Sequence, residues 1–192
     1  PSPFSLEDVA DAVLQKIESL GIERLVAIGH SLGGYVTLEM VARKPELFAG
    51  FGLIHSTAKA DSREKKKARD KTIEFIKTNG AAAFTRNYIT PLFANGNHPD
   101  VPFVRELNIQ AAAPALTGYT QAMRDRPDRT SLLSRFPRPV LFIAGGKDIR
   151  EQVKRTPNGT LHVFEEQAHM SLIEDVPTTS SLVYDFALRC YE

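Results

Sequence analysis

The chain opens with a helical pattern of apolar positions and continues with short, fully apolar segments. Apolar side chains recur at helical spacing between residues 6 and 20, which predicts a helix that Gly21 ends. Residues 25–28 and 51–54 are short apolar runs, typical of strands that a parallel sheet buries on both faces. An apolar stretch between them, residues 35–42, predicts a second helix. The order helix, strand, helix, strand indicates an α/β fold.

The middle of the chain has a different pattern. Its first part, residues 59–71, is densely charged, and the apolar and aromatic positions that follow have the spacing of amphipathic helices. No strand pattern appears there, so we predict a helical insertion over residues 57–135. The insertion divides a sheet domain into residues 1–56 and 136–192.

The sheet pattern resumes after the insertion. Residues 140–144 form the most apolar run in the chain, and residues 161–164 predict one further short strand. Apolar positions between residues 178 and 191 then predict a helix that closes the domain.

Composition and charge narrow the class of protein. The 192 residues are 42% hydrophobic and 24% charged, with a net charge of +1, which is ordinary for a globular domain and gives no field that would attract nucleic acid. No apolar run approaches the roughly 18 residues that span a bilayer, so we expect no membrane partner. Cys190 is the single cysteine and has no internal partner for a disulfide, which favours a cytoplasmic protein.

A glycine-rich turn between a predicted strand and a predicted helix carries the clearest chemical signal. Gly29-His30-Ser31-Leu32-Gly33 matches G-x-S-x-G, a pattern that places a nucleophilic serine on a tight strand-to-helix turn. Such a turn needs small neighbours. We expect Gly29 and Gly33 to provide them, and Gly34 to add room. The Leu32 N–H would lie at the start of the helix, where it could stabilise an oxyanion.

Two other glycine-rich motifs do not fit this turn. A phosphate-binding P-loop needs a lysine after its last glycine, but Tyr35 follows Gly34. A dinucleotide fingerprint needs a second glycine where this chain has Ser31. We therefore expect no nucleotide cofactor, and the sequence implies no metal.

A serine nucleophile needs a base and a group that orients the base. Asp148 is the candidate acid because it follows the most apolar predicted strand, and sites in open α/β sheets form at strand ends. Asp128 and Asp175 are the alternatives, and neither follows a buried strand.

His169 is the candidate base, since it follows the last predicted strand through a short loop. Among the other histidines, His98 lies in a polar loop and His162 lies within a predicted strand. His30 occupies the variable position of the serine motif, and His55 ends the second strand. We expect these last two to line a pocket.

The three segments together resemble the α/β-hydrolase superfamily, in its capped, serine-nucleophile, esterase-like branch. Residues 29–34 resemble the nucleophile elbow of the family, residues 145–148 its acid turn and residues 168–170 its histidine loop. The resemblance implies a mostly parallel sheet flanked by helices, with a helical cap inserted at residues 57–135. It also implies acyl transfer by a triad of Ser31, Asp148 and His169.

The chain departs from the family before the elbow. Family members have several strands there, and a loop after one of them supplies a second oxyanion N–H; no such segment precedes residue 25 here, so the amino-terminal part of the sheet is expected to be absent. The strand at residues 25–28 would then have an unpaired edge. We expect an upstream segment or a second polypeptide to complete the sheet.

The resemblance implies a small-molecule substrate, a small or medium hydrophobic carboxylic ester, and no cofactor. The side chains that we expect to contact the substrate are His30, His55, Phe84, Tyr88, Leu92, Phe93, Tyr119 and Met170.

Other functions share these residues. Thioesterases, lactonases and C–C bond hydrolases use the same triad, and a non-catalytic ligand-binding protein of the same fold is a further alternative. A nucleic-acid-binding role for the basic run at residues 65–67 is disfavoured, because Asp61, Glu64 and Asp70 offset its charge.

Overall fold

A computed structural model describes residues 4–144 and 147–192 of the chain. Within these residues the strands are β1 (Leu25–His30), β2 (Phe48–Ile54), β3 (Val140–Ile143) and β4 (Gly159–His162). The α-helices are α1 (Leu6–Ser19), α2 (Leu32–Arg43), α3 (Arg63–Tyr88), α4 (Val101–Ile109), α5 (Ala113–Asp125), α6 (Thr130–Arg135), α7 (Lys147–Lys154), α8 (Ser171–Glu174) and α9 (Val176–Arg189). Short 3₁₀ helices span Pro45–Leu47 and Thr90–Leu92.

The four described strands form one parallel sheet in the order β1-β2-β3-β4. Ala27 lies opposite Phe51, Phe51 lies opposite Val140, and Val140 lies opposite Gly159. Parallel neighbours need crossover connections, and helices supply them here. The sheet and its helices confirm the predicted α/β fold.

Alternating side chains of the sheet build two cores. Phe51 and Phe142 belong to the core that also contains residues of α1, α2, α6 and α7. Leu141 and Ile143 belong to the other core, where they lie with Phe186 of α9. Successive side chains of a strand point to opposite faces, so the helices cover the sheet on both sides.

Strand β1 is less buried than β2 and β3. Every residue of β2 and β3 is buried, whereas Leu25–Ile28 are only partly buried although all four are apolar. Among the described residues β1 pairs with β2 alone, so its other edge carries unpaired backbone groups. This strand has the expected open edge.

The chain divides into two compact units. The sheet unit comprises Leu6–Ala60, Arg126–Glu165 and Ser180–Glu192. The helical unit contains Asp61–Asp125 and Glu166–Thr179, together with the start of the chain. No strand occurs between residues 57 and 136, all of which are described, as the sequence pattern predicts. The cap boundaries at 57 and 135 remain a prediction.

In the helical unit, α3 packs against α4 and α5. A small apolar core lies in this unit, formed by Ile89, Phe93, Val101, Val104 and Met170. The amphipathic pattern of the middle region continues beyond α3 in two separate helices, α4 and α5. Helix α3 is kinked at Gly80, whose φ of 82° is accessible to glycine at little cost.

The last strand begins earlier than its sequence pattern predicts. We predicted a strand at residues 161–164, and β4 spans Gly159–His162. Val140 of β3 pairs with Gly159, so the partner strand sets where β4 starts. The local sequence of β4 contains no information about its partner strand.

A buried carboxylate joins α2 to the segment that leads into α6. The Glu39 side chain is 2% exposed and accepts hydrogen bonds from Arg129 Nε at 2.9 Å and from Arg43 Nη1 at 3.0 Å. Its hydrogen bonds raise the pKa of the Arg129 guanidinium. The Arg129 N–H donates to the Ala58 carbonyl at 2.7 Å, which fixes the same segment through its backbone.

Replacing this carboxylate should destabilise the sheet unit. We expect Glu39→Ala to lower the free energy of unfolding by about 2–3 kcal/mol, because two arginines would lose their buried partner. The control is Glu18→Ala, since the Glu18–Lys44 pair is exposed and should contribute under about 1 kcal/mol. Urea unfolding measures both variants, and equal losses would contradict a structural role for Glu39.

Candidate active site

Ser31 occupies the tight turn between β1 and α2 in a left-handed backbone conformation. Its φ is 51° and its ψ is −114°, which costs a residue other than glycine about 1–3 kcal/mol. The Ser31 N–H donates to the Ile54 carbonyl at 2.9 Å. The Ser31 carbonyl accepts from the Gly34 N–H at 3.0 Å and from Ser56 Oγ at 2.9 Å. Hydrogen bonds from two sides therefore hold the strained turn.

The glycines of the motif have different roles. A Cβ at Gly29 would lie 2.4 Å from the Gly33 carbonyl oxygen, and a Cβ at Gly34 would lie 2.4 Å from Ser56. A Cβ at Gly33 would meet no atom of the described residues within 4 Å. The expectation that Gly33 relieves crowding was therefore wrong: close packing requires Gly29 and Gly34.

Asp148 lies in the first turn of α7, in the sheet unit. Gly145 and Gly146 of the predicted acid turn lie outside the described residues. The Asp148 carboxylate is 2.8 Å from Lys59 Nζ, and its side chain is 77% exposed. A carboxylate this exposed stays accessible to a further hydrogen-bond donor.

A buried glutamine connects α7 to the segment after β2. Gln152 Oε1 accepts from the Ala58 N–H at 2.8 Å, and Gln152 Nε2 donates to Thr57 Oγ1 at 2.9 Å. The same Nε2 donates to the Asp148 carbonyl at 3.1 Å. Gln152 therefore fixes the backbone of Asp148 relative to the segment after β2, and the end of β2 also contacts Ser31.

The alternative acids bind backbone groups at helix starts. Asp128 accepts from the Thr130 N–H at 2.9 Å, at the start of α6, and Asp175 accepts from the Thr178 N–H at 3.1 Å, at the start of α9. Burial acts to raise the pKa of Asp128, but hydrogen bonds from Thr130 and the Ala60 N–H lower it overall. Asp175 therefore caps α9, and Asp128, one residue before the N-cap Arg129, binds the first N–H of α6.

His169 lies in the helical unit, partly buried in a turn between β4 and α8. Glu174 holds this turn, since Oε2 accepts from the Ala168 N–H at 3.0 Å and Oε1 from the Ala94 N–H at 2.7 Å. Met170, the next residue, is buried in the apolar core of the unit. The structure thus places Ser31 and Asp148 in one unit and His169 in the other, and their triad remains a prediction.

The predicted pocket residues also fall into two groups. In the sheet unit, the His30 and His55 rings meet edge to face with centroids 6.1 Å apart, and His55 has a φ of 46°. His30 is the last residue of β1 and directly precedes Ser31, and His55 follows β2 and directly precedes Ser56.

The remaining predicted pocket residues lie in the helical unit. Phe84 stacks on Tyr88 with ring centroids 4.8 Å apart, and Tyr119 meets Phe4 edge to face at 4.9 Å. Phe93 is buried in the apolar core with Met170, and Leu92 packs against that core. Their contact with substrate remains a prediction.

Sequence reasoning missed three residues that support this region: Ser56, Gln152 and Glu174. Ser56 follows a buried strand at the same sheet end as Asp148, so the strand-end rule that selected Asp148 also applied to it. Gln152 and Glu174 had no such signal, because each binds the N–H of an alanine distant in sequence, Ala58 and Ala94 respectively.

Two kinds of feature are absent from residues 4–144 and 147–192. No cluster of three or more histidine, cysteine, aspartate or glutamate side chains with the arrangement of a metal site occurs in that part of the chain. No helix there combines the length and apolar character that crossing a membrane requires.

Comparison with known families gives a match over most of the chain. The model of the alpha/beta hydrolase family matches residues 1–179. A protein of Pseudomonas syringae named "Putative carbamate hydrolase RutD" is 27% identical over 210 residues, covering 100% of this chain and 76% of the relative. A protein of the same name from Agrobacterium fabrum is 32% identical over 93 residues, and that match covers 48% of this chain and 34% of the relative.

A named esterase and two solved structures are also similar. The pimeloyl-[acyl-carrier protein] methyl ester esterase of Neisseria meningitidis is 27% identical, with 96% of this chain and 62% of the relative covered. A thermophilic esterase from Thermogutta terrifontis superimposes with a TM-score of 0.90 at 22% identity, covering 100% of this chain and 75% of that one. The enol-lactonase of Burkholderia xenovorans superimposes with a TM-score of 0.82 at 19% identity, covering 96% of this chain and 73% of that one.

The crowding at the serine turn predicts opposite results for two similar substitutions. Gly29→Ala should destabilise the sheet unit by about 2–4 kcal/mol, because the new methyl group would overlap backbone atoms. Gly33→Ala should be neutral or stabilise by up to about 1 kcal/mol, since alanine favours the helix that Gly33 occupies. Thermal unfolding compares the two variants, and equal losses would contradict the packing described for the turn.

Proposed function

Because the chain belongs to the alpha/beta hydrolase family, we propose that it is a serine hydrolase acting on a small or medium hydrophobic carboxylic ester. The observation that carries the proposal is Ser31 itself, a strained non-glycine residue at the junction of β1 and α2. A conformation this costly persists where surrounding contacts impose it, and such positions cluster at active sites. The relatives named as a carbamate hydrolase and an ester esterase support chemistry at a carbonyl carbon.

The first half of the proposed reaction forms an acyl-enzyme. Ser31 Oγ attacks the ester carbonyl carbon while the His169 imidazole takes the hydroxyl proton. Asp148 orients the imidazole and stabilises its cation. The Leu32 N–H, at the start of α2, donates to the oxyanion of the tetrahedral intermediate. The intermediate collapses as His169 gives the proton to the departing alkoxide, which leaves as an alcohol.

The second half of the reaction releases the acid. Water attacks the acyl carbon, and His169 takes a proton from it. The bond to Ser31 Oγ then breaks, and the serine recovers its proton from the imidazolium. The proposed steps use side chains and one backbone N–H of this chain with water as the second substrate.

The side chains that we propose as substrate contacts are aromatic or apolar. His30, the last residue of β1, and His55, directly after β2, belong to the sheet unit, and Phe84, Tyr88 and Tyr119 belong to the helical unit. An apolar lining of this kind suits a hydrophobic acyl group. We also propose a cytoplasmic location, which the single buried thiol of Cys190 supports.

Substitution of the nucleophile tests the proposal. Ser31→Ala should abolish labelling by a fluorophosphonate probe and lower kcat for p-nitrophenyl esters by at least about 10³-fold, since the acyl-enzyme cannot form. Ser134→Ala is the matched control, because Ser134 is exposed and its hydroxyl bonds only within α6.

The outcomes separate the alternative functions. Preference for short or medium acyl chains supports the ester hydrolase. If the protein cleaves only a thioester or only a C–C hydrolase substrate, and Ser31→Ala abolishes that cleavage, the triad is assigned to that chemistry. An unlabelled wild-type protein that binds hydrophobic esters without cleaving them would contradict the proposal and favour a binding protein.

We further propose that a strand from outside these 192 residues pairs with β1, supplied by an upstream segment or a second polypeptide. The half-buried apolar residues of β1 and its unpaired edge support this proposal. The relatives support it as well, since this chain covers 76% of the Pseudomonas syringae protein and 75% of the Thermogutta terrifontis esterase. The added segment would also supply the second oxyanion N–H that the family uses.

The open edge predicts association of the 192-residue chain in solution. Light scattering should give a mass above the 21.3 kDa of one chain, increasing with concentration, because unpaired strand edges pair with one another. Mass spectrometry of the same sample controls for covalent additions. A monomer of 21.3 kDa that hydrolyses esters at full rate would contradict this proposal.

A further inference from the structure

The turn that presents Ser31 is held by a buried hydroxyl group outside the predicted triad. Ser56 is 4% exposed, and its Oγ donates to the Ser31 carbonyl at 2.9 Å. The same carbonyl accepts from the Gly34 N–H at 3.0 Å. Both acceptor positions of the carbonyl are therefore used, one by the first turn of α2 and one by the end of β2.

An unusual backbone conformation brings Ser56 to this position. His55, which connects it to β2, has a φ of 46°. The preceding carbonyl, of Ile54, accepts from the Ser31 N–H at 2.9 Å, and the His55 N–H donates to the Ile143 carbonyl at 2.8 Å. The left-handed residue lets the chain bind β3 on one side and the serine turn on the other.

The packing around Ser56 is close. A Cβ at Gly34 would lie 2.4 Å from both the Cβ and the Oγ of Ser56. The absence of a side chain at Gly34 is what allows the hydroxyl to reach the Ser31 carbonyl. Ser56 and Gly34 therefore form a matched pair, with the hydroxyl fitted into space that the glycine leaves.

The bonded carbonyl belongs to the same peptide unit as the Leu32 N–H. A peptide unit is planar, and the Ser31–Leu32 bond is trans, so the carbonyl and the N–H point in opposite directions within one rigid plane. A hydrogen bond that fixes the carbonyl also fixes the direction of the N–H. It also polarises the peptide, which strengthens the N–H as a donor.

We propose that Ser56 is a positioning residue that aims the Leu32 N–H at the oxyanion. The inference deepens the proposed function and depends on it for the identity of the oxyanion donor. The role is indirect, because Ser56 acts through the Ser31–Leu32 peptide. It predicts that loss of the hydroxyl affects the transition state more than the binding of substrate.

The test replaces Ser56 with alanine and compares it with Thr37→Val. Thr37 is the matched control because it is buried and its hydroxyl donates at 2.9 Å to the Gly33 carbonyl, in the same helical turn but in a different peptide unit. Both variants lose one buried hydroxyl-to-carbonyl bond, so a merely structural role predicts similar effects on stability and activity for the two.

We expect Ser56→Ala to lower kcat about tenfold with little change in KM. This loss in kcat is smaller than the loss caused by removing a whole oxyanion donor. Binding of a trifluoromethyl ketone, which forms an oxyanion on the serine, should weaken by the same factor, whereas Thr37→Val should change neither value. Active-site titration with the fluorophosphonate corrects for unfolded protein.

An amide measurement separates this proposal from the proposed function. Ser56→Ala should shift the Leu32 ¹H–¹⁵N resonance more than Thr37→Val does, whether or not the wild type hydrolyses esters. An unmoved Leu32 amide overturns the inference in either case, and so does an active Ser56→Ala variant with unchanged kcat. Wild-type protein with no labelling, no turnover and a shifted Leu32 amide overturns only the hydrolase proposal.

Discussion

The rest of the site depends on the hydrogen bonds that join the Ser31 turn to the end of β2, and the end of β2 to β3. Ser31 has a conformation that an isolated peptide would avoid. The Ile54 carbonyl and the Ser56 hydroxyl hold it there, and His55 is held in turn by the Ile143 carbonyl. The ends of three neighbouring strands therefore share one hydrogen-bond network. The two strained residues, Ser31 and His55, are each held by a hydrogen bond to a strand of the sheet.

This network explains why the site lies at the carboxyl ends of the strands. Parallel pairing puts the ends of β1, β2 and β3 beside one another, and loops at those ends can exchange hydrogen bonds across the sheet. Gln152 extends the same arrangement, because it joins α7 to the segment after β2 through Ala58. The candidate acid is thus attached to the framework that holds the candidate nucleophile.

Charges in the sheet unit divide into structural and accessible groups. The Glu39 carboxylate is fully buried and satisfied by two arginines, so its contribution is to packing and to the entry of α6. The Asp148 carboxylate is largely exposed and faces Lys59. Exposure leaves the Asp148 carboxylate accessible to a further donor, whereas the Glu39 carboxylate is already bound by Arg43 and Arg129.

The sequence by itself determined the α/β class, the position of the serine turn and the helical character of the middle region, since these depend on local periodicity and on glycine spacing. It predicted the open edge of β1 from the absence of an earlier strand pattern. Only the tertiary structure decided that Gly33 is not needed for close packing, that Gly34 lies against Ser56, and that Ser56 braces the Ser31 carbonyl. These facts depend on which segments meet at the serine turn, and strand pairing, not a local pattern, decides that.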